Sequence, residues 1–243
     1  MKTIYNINPS VKMAVIFLYV GFLLFNMNYG FNLSILILSF SFIAITVRNL
    51  KSLVSLIIAV ILFSSTIFIM NFLYYTKGQT PVNFLFLHGT YEGMKRGVVL
   101  SMRASSIIFL SVGYLFSTDP FLMIQSFIQN LHIPEKIGYA LLIAFREIHL
   151  FKKNITNIER AMIIRNGGGK ITLNERIKMI VPVFAMVVRK GERSAIALET
   201  RGMLLEKRGG YYRDMNLRSI DKIFVIISLL LLLVILFISS LLM

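Results

Sequence analysis

The sequence has no cysteine, so neither a disulfide nor a thiolate metal site can form within it. It is also poor in charge. Asp, Glu, Lys and Arg make up 15% of its 243 residues, against about 25% in an ordinary soluble domain. Acid is the scarcer sign, with 11 Asp and Glu against 26 Lys and Arg. No acid falls in the interior of a predicted span, and no paired-carboxylate or metal-binding aspartate motif occurs, which argues against an intramembrane hydrolase or transferase. The three histidines, His88, His132 and His149, are far apart and lack ligand spacing. The run Gly167-Gly168-Gly169-Lys170 is no phosphate loop, because a Walker pattern needs glycine at position 164 and Ser or Thr at 171, where Ile164 and Ile171 stand.

What is present in abundance is apolar: 56% of the chain. The composition is that of a polytopic membrane protein, and uncharged runs measure its spans, since a crossing helix needs about 20 mostly apolar residues. Nothing between Lys12 and Arg48 is charged, and the turn-forming Asn26-Met27-Asn28-Tyr29-Gly30 divides that run into two short spans. The first, Met13 to Phe25, mimics a signal sequence but lacks a small-x-small cleavage site and is expected to be retained. Ser52 to Thr76 is a third span. From Gly78 to Gly93 a mixture of Gly, Pro, Asn and His around Phe84-Leu85-Phe86-Leu87 predicts a loop or an interfacial segment. A fourth span runs from about Gly97 to Phe116 with Arg103 inside it; that cation is costly in lipid and is expected to pair with Glu92 or a backbone carbonyl. Thr118 or Asp119 with Pro120 should start an amphipathic helix to Leu131, and after the break at His132-Ile133-Pro134 a longer helix should follow. Ile223 to Met243 is the last span.

Most of the basic residues lie between Arg146 and Lys222, and the net charge is +15. Basic clusters flank cytoplasmic span ends, so Lys2 with Lys12, Arg48 with Lys51, and the 146–222 block put the N-terminus inside and the C-terminus outside. Lys77, Lys95 and Arg96 fall on the outer side against this trend. Within the block the pattern Ala-x-x-x-Arg occurs twice, as Ala161 to Arg165 followed by Asn166-Gly167, and as Ala197-Leu198-Glu199-Thr200-Arg201 followed by Gly202. On a helix the alanine and arginine of each box share one face. The glycines suit left-handed helix ends, and a cation in the last turn complements the negative end of the helix dipole. Each box reads as a helix tip made to plug into a partner, or else as part of a basic helix lying on anionic lipid. Gly191, Ala195, Leu198 and Gly202 form a lightly built stripe open to a sliding partner or to packing within the domain, and Pro182 predicts a kink between the arms.

Several segments in order carry a resemblance: Asn8-Pro9-Ser10-Val11-Lys12, Tyr91-Glu92-Gly93-Met94 leading to Arg103, Ser117-Thr118-Asp119-Pro120, Leu131-His132-Ile133-Pro134, Phe145-Arg146-Glu147-Ile148 and both boxes. In these the chain resembles the transmembrane T component of energy-coupling factor (ECF) transporters, the CbiQ/EcfT family, over nearly its whole length. The resemblance implies an all-α, polytopic integral membrane protein of the bacterial or archaeal cytoplasmic membrane, with about five transmembrane helices and a cytoplasmic helical coupling domain. The expected division is 1–133 as an N-terminal membrane region, 134–221 as the coupling domain and 222–243 as a C-terminal span.

By the same resemblance the protein is not an enzyme and binds no cofactor, ATP being held by partner subunits. Two ABC-type ATPases would receive the tips, with Ala161, Arg165, Asn166, Gly167, Ala197, Glu199, Arg201 and Gly202 as the coupling residues. A substrate-binding membrane S component would move on Gly191, Ala195 and Leu198, and set the cargo as a vitamin, a vitamin precursor or Ni²⁺/Co²⁺. The first box departs from the family at Asn166, where glycine is usual, which bears on the geometry of that helix end. The partners are thus proteins and the lipid bilayer. A membrane enzyme would need convergent polar residues at membrane depth, and a tethered nucleic-acid binder is disfavoured by the acids interleaved in the basic block.

Overall fold

A computed structural model describes residues 7–47, 49–75, 81–84, 87–167, 169, 172–202 and 214–241. The protein is all-α in class, with one short hairpin. Its elements are α1 (Pro9–Phe25), α2 (Tyr29–Thr46), α3 (Leu50–Tyr74), β1 (Pro81–Phe84), β2 (Leu87–Thr90), α4 (Tyr91–Ser117), α5 (Pro120–Asn130), α6 (Glu135–Arg165), α7 (Leu173–Lys178), α8 (Ile180–Thr200) and α9 (Ser219–Leu241). They fall into two compact units, one of residues 1–123 with 217–243 and one of 124–216.

Among the described residues of the first unit, four helices are long and apolar enough to cross a membrane: α2, α3, α4 and α9. The first expected span is shorter. α1 has 17 residues, about 26 Å of helix, where the hydrocarbon core is about 30 Å. Its end, and the turn to α2, is satisfied from within the protein. The Asn26 carbonyl accepts from Arg103 Nη2 at 2.8 Å and from Asn32 Nδ2 at 3.2 Å, and the Asn28 carbonyl accepts from Asn32 Nδ2 at 2.8 Å. Of the two partners expected for Arg103, the backbone carbonyl is therefore the one it meets. The guanidinium satisfies a carbonyl that a short helix would otherwise leave in an apolar layer.

α4 is the centre of the bundle and packs chiefly against α2 and α3. Its buried residues recur at helical spacing from Gly93 and Gly97 through Arg103, Ser106, Leu110 and Gly113 to Ser117. Gly93 and Gly97 let α3 approach closely: a Cβ on Gly93 would come within 2.9 Å of the Asn71 carbonyl, and one on Gly97 within 3.2 Å of Phe68. Hydroxyls continue that seam, with Ser64 and Ser105 joined at 2.6 Å and Ser101 donating to the Ser64 carbonyl at 3.0 Å. Small residues and polar stitches are how helices associate in lipid, where no water is released on contact. On the other side Tyr19, Leu23, Phe31, Ile35, Leu110, Leu232 and Ile235 form one apolar core.

The segment expected as a loop or interfacial piece is in part an antiparallel hairpin, with Pro81 opposite Thr90 and Phe84 opposite Leu87. A run too short to span satisfies its backbone by pairing with itself, and proline takes the first position of a strand, where it is tolerated. Thr90 Oγ1 then caps α4 by accepting from Gly93 N at 3.3 Å.

In the second unit α6 is a single helix of 31 residues. Before it, Asp119 caps α5 by accepting from Phe121 N at 2.9 Å, and α5 is followed by His132 in the left-handed conformation (φ 53°). Where a kink was expected at Pro182, the helix is interrupted one turn earlier, at Met179 between α7 and α8, whose backbone stays helical (φ −69°, ψ −20°). Proline has no N–H to give the carbonyl four residues back, which is that of Lys178, and its ring crowds that carbonyl. Ladder bonding resumes at once, Val183 N donating to the Met179 carbonyl at 3.1 Å.

Candidate functional site

The two boxes end the two long helices of the second unit. Arg165 is the last residue of α6, Asn166 caps it in a near-helical conformation (φ −92°, ψ 21°), and Gly167 turns left-handed at φ 67°. The turn closes through Gly167 N to the Ile164 carbonyl, 3.1 Å, and Asn166 N to the Met162 carbonyl, 3.0 Å. The left-handed residue is thus Gly167 and not Asn166, so the asparagine is not strained. In the second box α8 stops at Thr200, Arg201 is itself the cap (φ −83°, ψ 7°), and Gly202 is left-handed at φ 82°. Gly202 N reaches the Glu199 carbonyl at 3.0 Å, and Thr200 Oγ1 donates to the Ala197 carbonyl at 3.1 Å.

Ala161, Arg165, Asn166, Gly167, Ala197, Glu199 and Arg201 are all exposed, and Gly202 is half-buried. Met162, by contrast, is buried behind the first tip. Among the described residues neither Arg165 nor Arg201 has an ion-pair partner, whereas Lys190 and Glu147 pair with each other. Among the described residues, both guanidiniums thus stand at helix ends without a counter-charge.

The first tip has a tether that spacing alone did not reveal. Asn166 Nδ2 donates to Glu175 Oε1, and the other oxygen of that carboxylate accepts Thr172 N at 2.8 Å, capping α7. These hydrogen bonds, from the Thr172 backbone first and its side chain second, hold the Glu175 carboxyl below its ordinary pKa. A Thr-x-x-Glu capping box was readable in the sequence as a helix start; its use of Asn166 as a further donor was not.

Gly191, Ala195 and Leu198 line a groove of about 350 Å³ between α6 and α8, with Ala140, Ala144 and Phe151 of α6 opposite and Met186 beside them on α8. The Lys190–Glu147 pair lies along the same groove. Gly191 is exposed, and a Cβ there would meet nothing within 4 Å, so packing among the described residues does not require a glycine. α8 buries none of its residues. Val181, Phe184, Val188 and Ile196 are all more than half exposed along it.

A polar centre in the first unit also escaped the sequence reading. Asp221, taken to precede the last span, lies inside the first turn of α9 and is buried at 3% exposure, as is Lys12 in α1. Asp221 accepts Asn8 N and Arg218 N, both at 2.8 Å, while Lys12 Nζ donates to the Ser117 carbonyl at 3.0 Å. An acid in a first turn was the available sign.

A membrane bundle, and a second unit whose two longest helices end in exposed arginines, define a polytopic membrane protein. The model of the cobalt transport protein family, CbiQ, matches residues 2–210, and the chain belongs to that family. It is similar to the energy-coupling factor transporter transmembrane protein EcfT of Macrococcus caseolyticus (strain JCSC5402), at 26% identity over 232 residues, which cover 90% of this chain and 87% of the relative.

Proposed function

We propose that this protein is the T component of an ECF-type importer, a non-catalytic membrane subunit that links two ABC-type ATPases to a substrate-capturing S component. Arg165 and Arg201 each enter a groove of one ATPase and pair there with acidic or carbonyl groups. The observation that carries this reading is the pair of exposed guanidiniums at the ends of α6 and α8, each followed closely by a left-handed glycine. A helix end offers its last carbonyls and a negative dipole, and the arginine turns that end into a mixed donor and acceptor plug.

The groove of Gly191, Ala195 and Leu198 and the uncovered apolar length of α8 suit a hydrophobic partner, the S component. Its cargo is a vitamin, a vitamin precursor or Ni²⁺/Co²⁺. The second unit lies in the cytoplasm, with the N-terminus inside and the C-terminus outside, as the distribution of Lys and Arg favours. Tagged protein purified from its native membrane should bring two ABC ATPases and a small hydrophobic subunit. Arg165→Ala with Arg201→Ala should lose the ATPases while the chain still inserts and folds; undiminished recovery of both ATPases would overturn the reading.

A further inference from the structure

Within the first unit, α3 and α4 are in close contact along one half of their length only. Near Gly93 and Gly97, and on through Ser64 and Ser105, they leave no room for larger side chains. Towards the start of α3 a groove of about 650 Å³ opens between them, with Ser55, Leu56 and Ala59 of α3 facing Ile108, Val112 and Phe116 of α4. It runs from Lys51 and Ser52 to Val60, a rise of about 14 Å along the helix. That is the depth of one leaflet, half of a hydrocarbon core of about 30 Å. A partner helix crossing the membrane needs a groove twice as long; an acyl chain does not. A second hollow, of about 460 Å³, lies along Leu50, Val54 and Ile58 and shares Lys51 and Ser55 with the first. Residues four apart align on a helix, so Lys51 and Ser55 form a ridge with an apolar hollow on either side.

The mouth of both hollows is polar and positive. Lys51 is exposed and, among the described residues, has no ion-pair partner. Ser52 and Ser55 are exposed as well, and among the described residues their hydroxyls make no hydrogen bond, whereas the exposed Ser41 and Ser65 donate to carbonyls of their own helices. Asn49 gives α3 no side-chain cap, and no acid stands in its first turn, so the positive end of the helix dipole has no compensating charge there. An ammonium, two hydroxyl donors and a bare helix start thus gather where a span meets the headgroup layer. We propose that they form a binding site for one anionic phospholipid, its phosphate resting on Lys51, Ser52 and the start of α3, and its two acyl chains lying in the hollows on either side of the ridge. On the orientation proposed above, this lipid belongs to the cytoplasmic leaflet; the site itself does not depend on the coupling reading. The bound chains fill the space that α3 and α4 leave open between them.

The sequence has no tryptophan, so a single introduced indole reports alone. Phe116→Trp places it on the groove, and Phe17→Trp on α1, outside both hollows; both phenylalanines are at least half exposed. The whole chain is reconstituted in vesicles of phosphatidylcholine with a minor share of phosphatidylglycerol, one lipid or the other carrying bromine on its acyl chains, and fluorescence quenching is read. The preference for the anionic lipid should be about fivefold greater at Phe116→Trp than at Phe17→Trp, the factor that one lysine is worth at an anionic surface. Lys51→Gln should abolish that excess and Lys51→Arg should keep it, while brominated phosphatidylcholine goes on quenching Phe116→Trp in both. Equal preference at the two indoles, or an excess that survives Lys51→Gln, overturns the proposal. So does quenching of Phe116→Trp by both lipids that is far weaker than that of Phe17→Trp, which would mean that a protein segment fills the groove. Inorganic phosphate replacing chloride at equal ionic strength should leave the excess unchanged; its loss would mark a site for a free anion and sink the proposal as well.

Discussion

The two arginine tips share a pattern in sequence and differ by one residue in space. Arg165 lies inside its helix, two positions before the left-handed Gly167, whereas Arg201 is the cap itself, directly before Gly202. One residue of helix is a rotation of about 100°, so relative to their glycines the two guanidiniums leave in different directions. The first tip is further tied to α7 through Asn166 and Glu175; the second, among the described residues, is closed locally by Thr200 and Glu199. Asparagine in the place where glycine is usual is thus accommodated by a left-handed turn one residue on, at Gly167, and Asn166 gains a hydrogen bond to Glu175. The lesson is that the motif preserves an arginine at a helix end, while the mechanism that ends the helix is free to change.

The largest effect should come from the arginines. Arg201→Ala and Arg165→Ala are each expected to weaken ATPase binding by about 2–5 kcal/mol, the usual consequence of removing one side of a buried charged contact. Titration of purified ATPase onto the chain in nanodiscs measures it, and a marked inequality would show that the tips are not equivalent. Next come the turns. Gly167→Ala and Gly202→Ala place a side chain in the left-handed region, at about 1–2 kcal/mol each, visible as faster amide exchange over the last turn of α6 or α8. If the comparison above holds, Asn166→Ala leaves the turn intact and Gly167→Ala does not.

Asn166→Gly removes the bond to Glu175 and frees the backbone there, and should loosen the order of the first tip with no change at Gly202. The smallest effect is one of pH. Because folding lowers the pKa of Glu175, its contribution is present above the ordinary carboxylate pKa and is lost as pH falls through the lowered value. Thr172 amide protection should decline over that acid range in the native chain. In Glu175→Gln it should already be reduced at neutral pH and change little with acid.

Much of this was legible from the residues. Uncharged runs located the long helices because lipid tolerates few exceptions, and Asp119-Pro120 announced its helix by local chemistry alone. The same holds for the placing of Arg165 and Arg201 at helix ends. What the sequence hid depends on partners distant along the chain or on a choice between neighbours. Asp221 meets Asn8 across almost the entire chain, and no periodicity encodes that. Whether Asn166 or Gly167 takes the left-handed turn is decided by how far α6 continues. The interruption tied to Pro182 falls at Met179 because proline acts on the carbonyl one turn before it, and the hairpin was missed because its strands are four residues each.

The seam between α3 and α4 has a consequence for temperature. Val60 and Phe72 are the buried residues of α3, and its hold on α4 comes from close backbone approach at Gly93 and Gly97 and from serine hydroxyls. Such contact inside lipid releases no water, so it lacks the large heat-capacity change that weakens apolar association in the cold. On the coupling reading the bare apolar length of α8 faces water, and covering it draws on water release. Cooling should therefore loosen the arms from a partner while leaving the membrane bundle as firm as before.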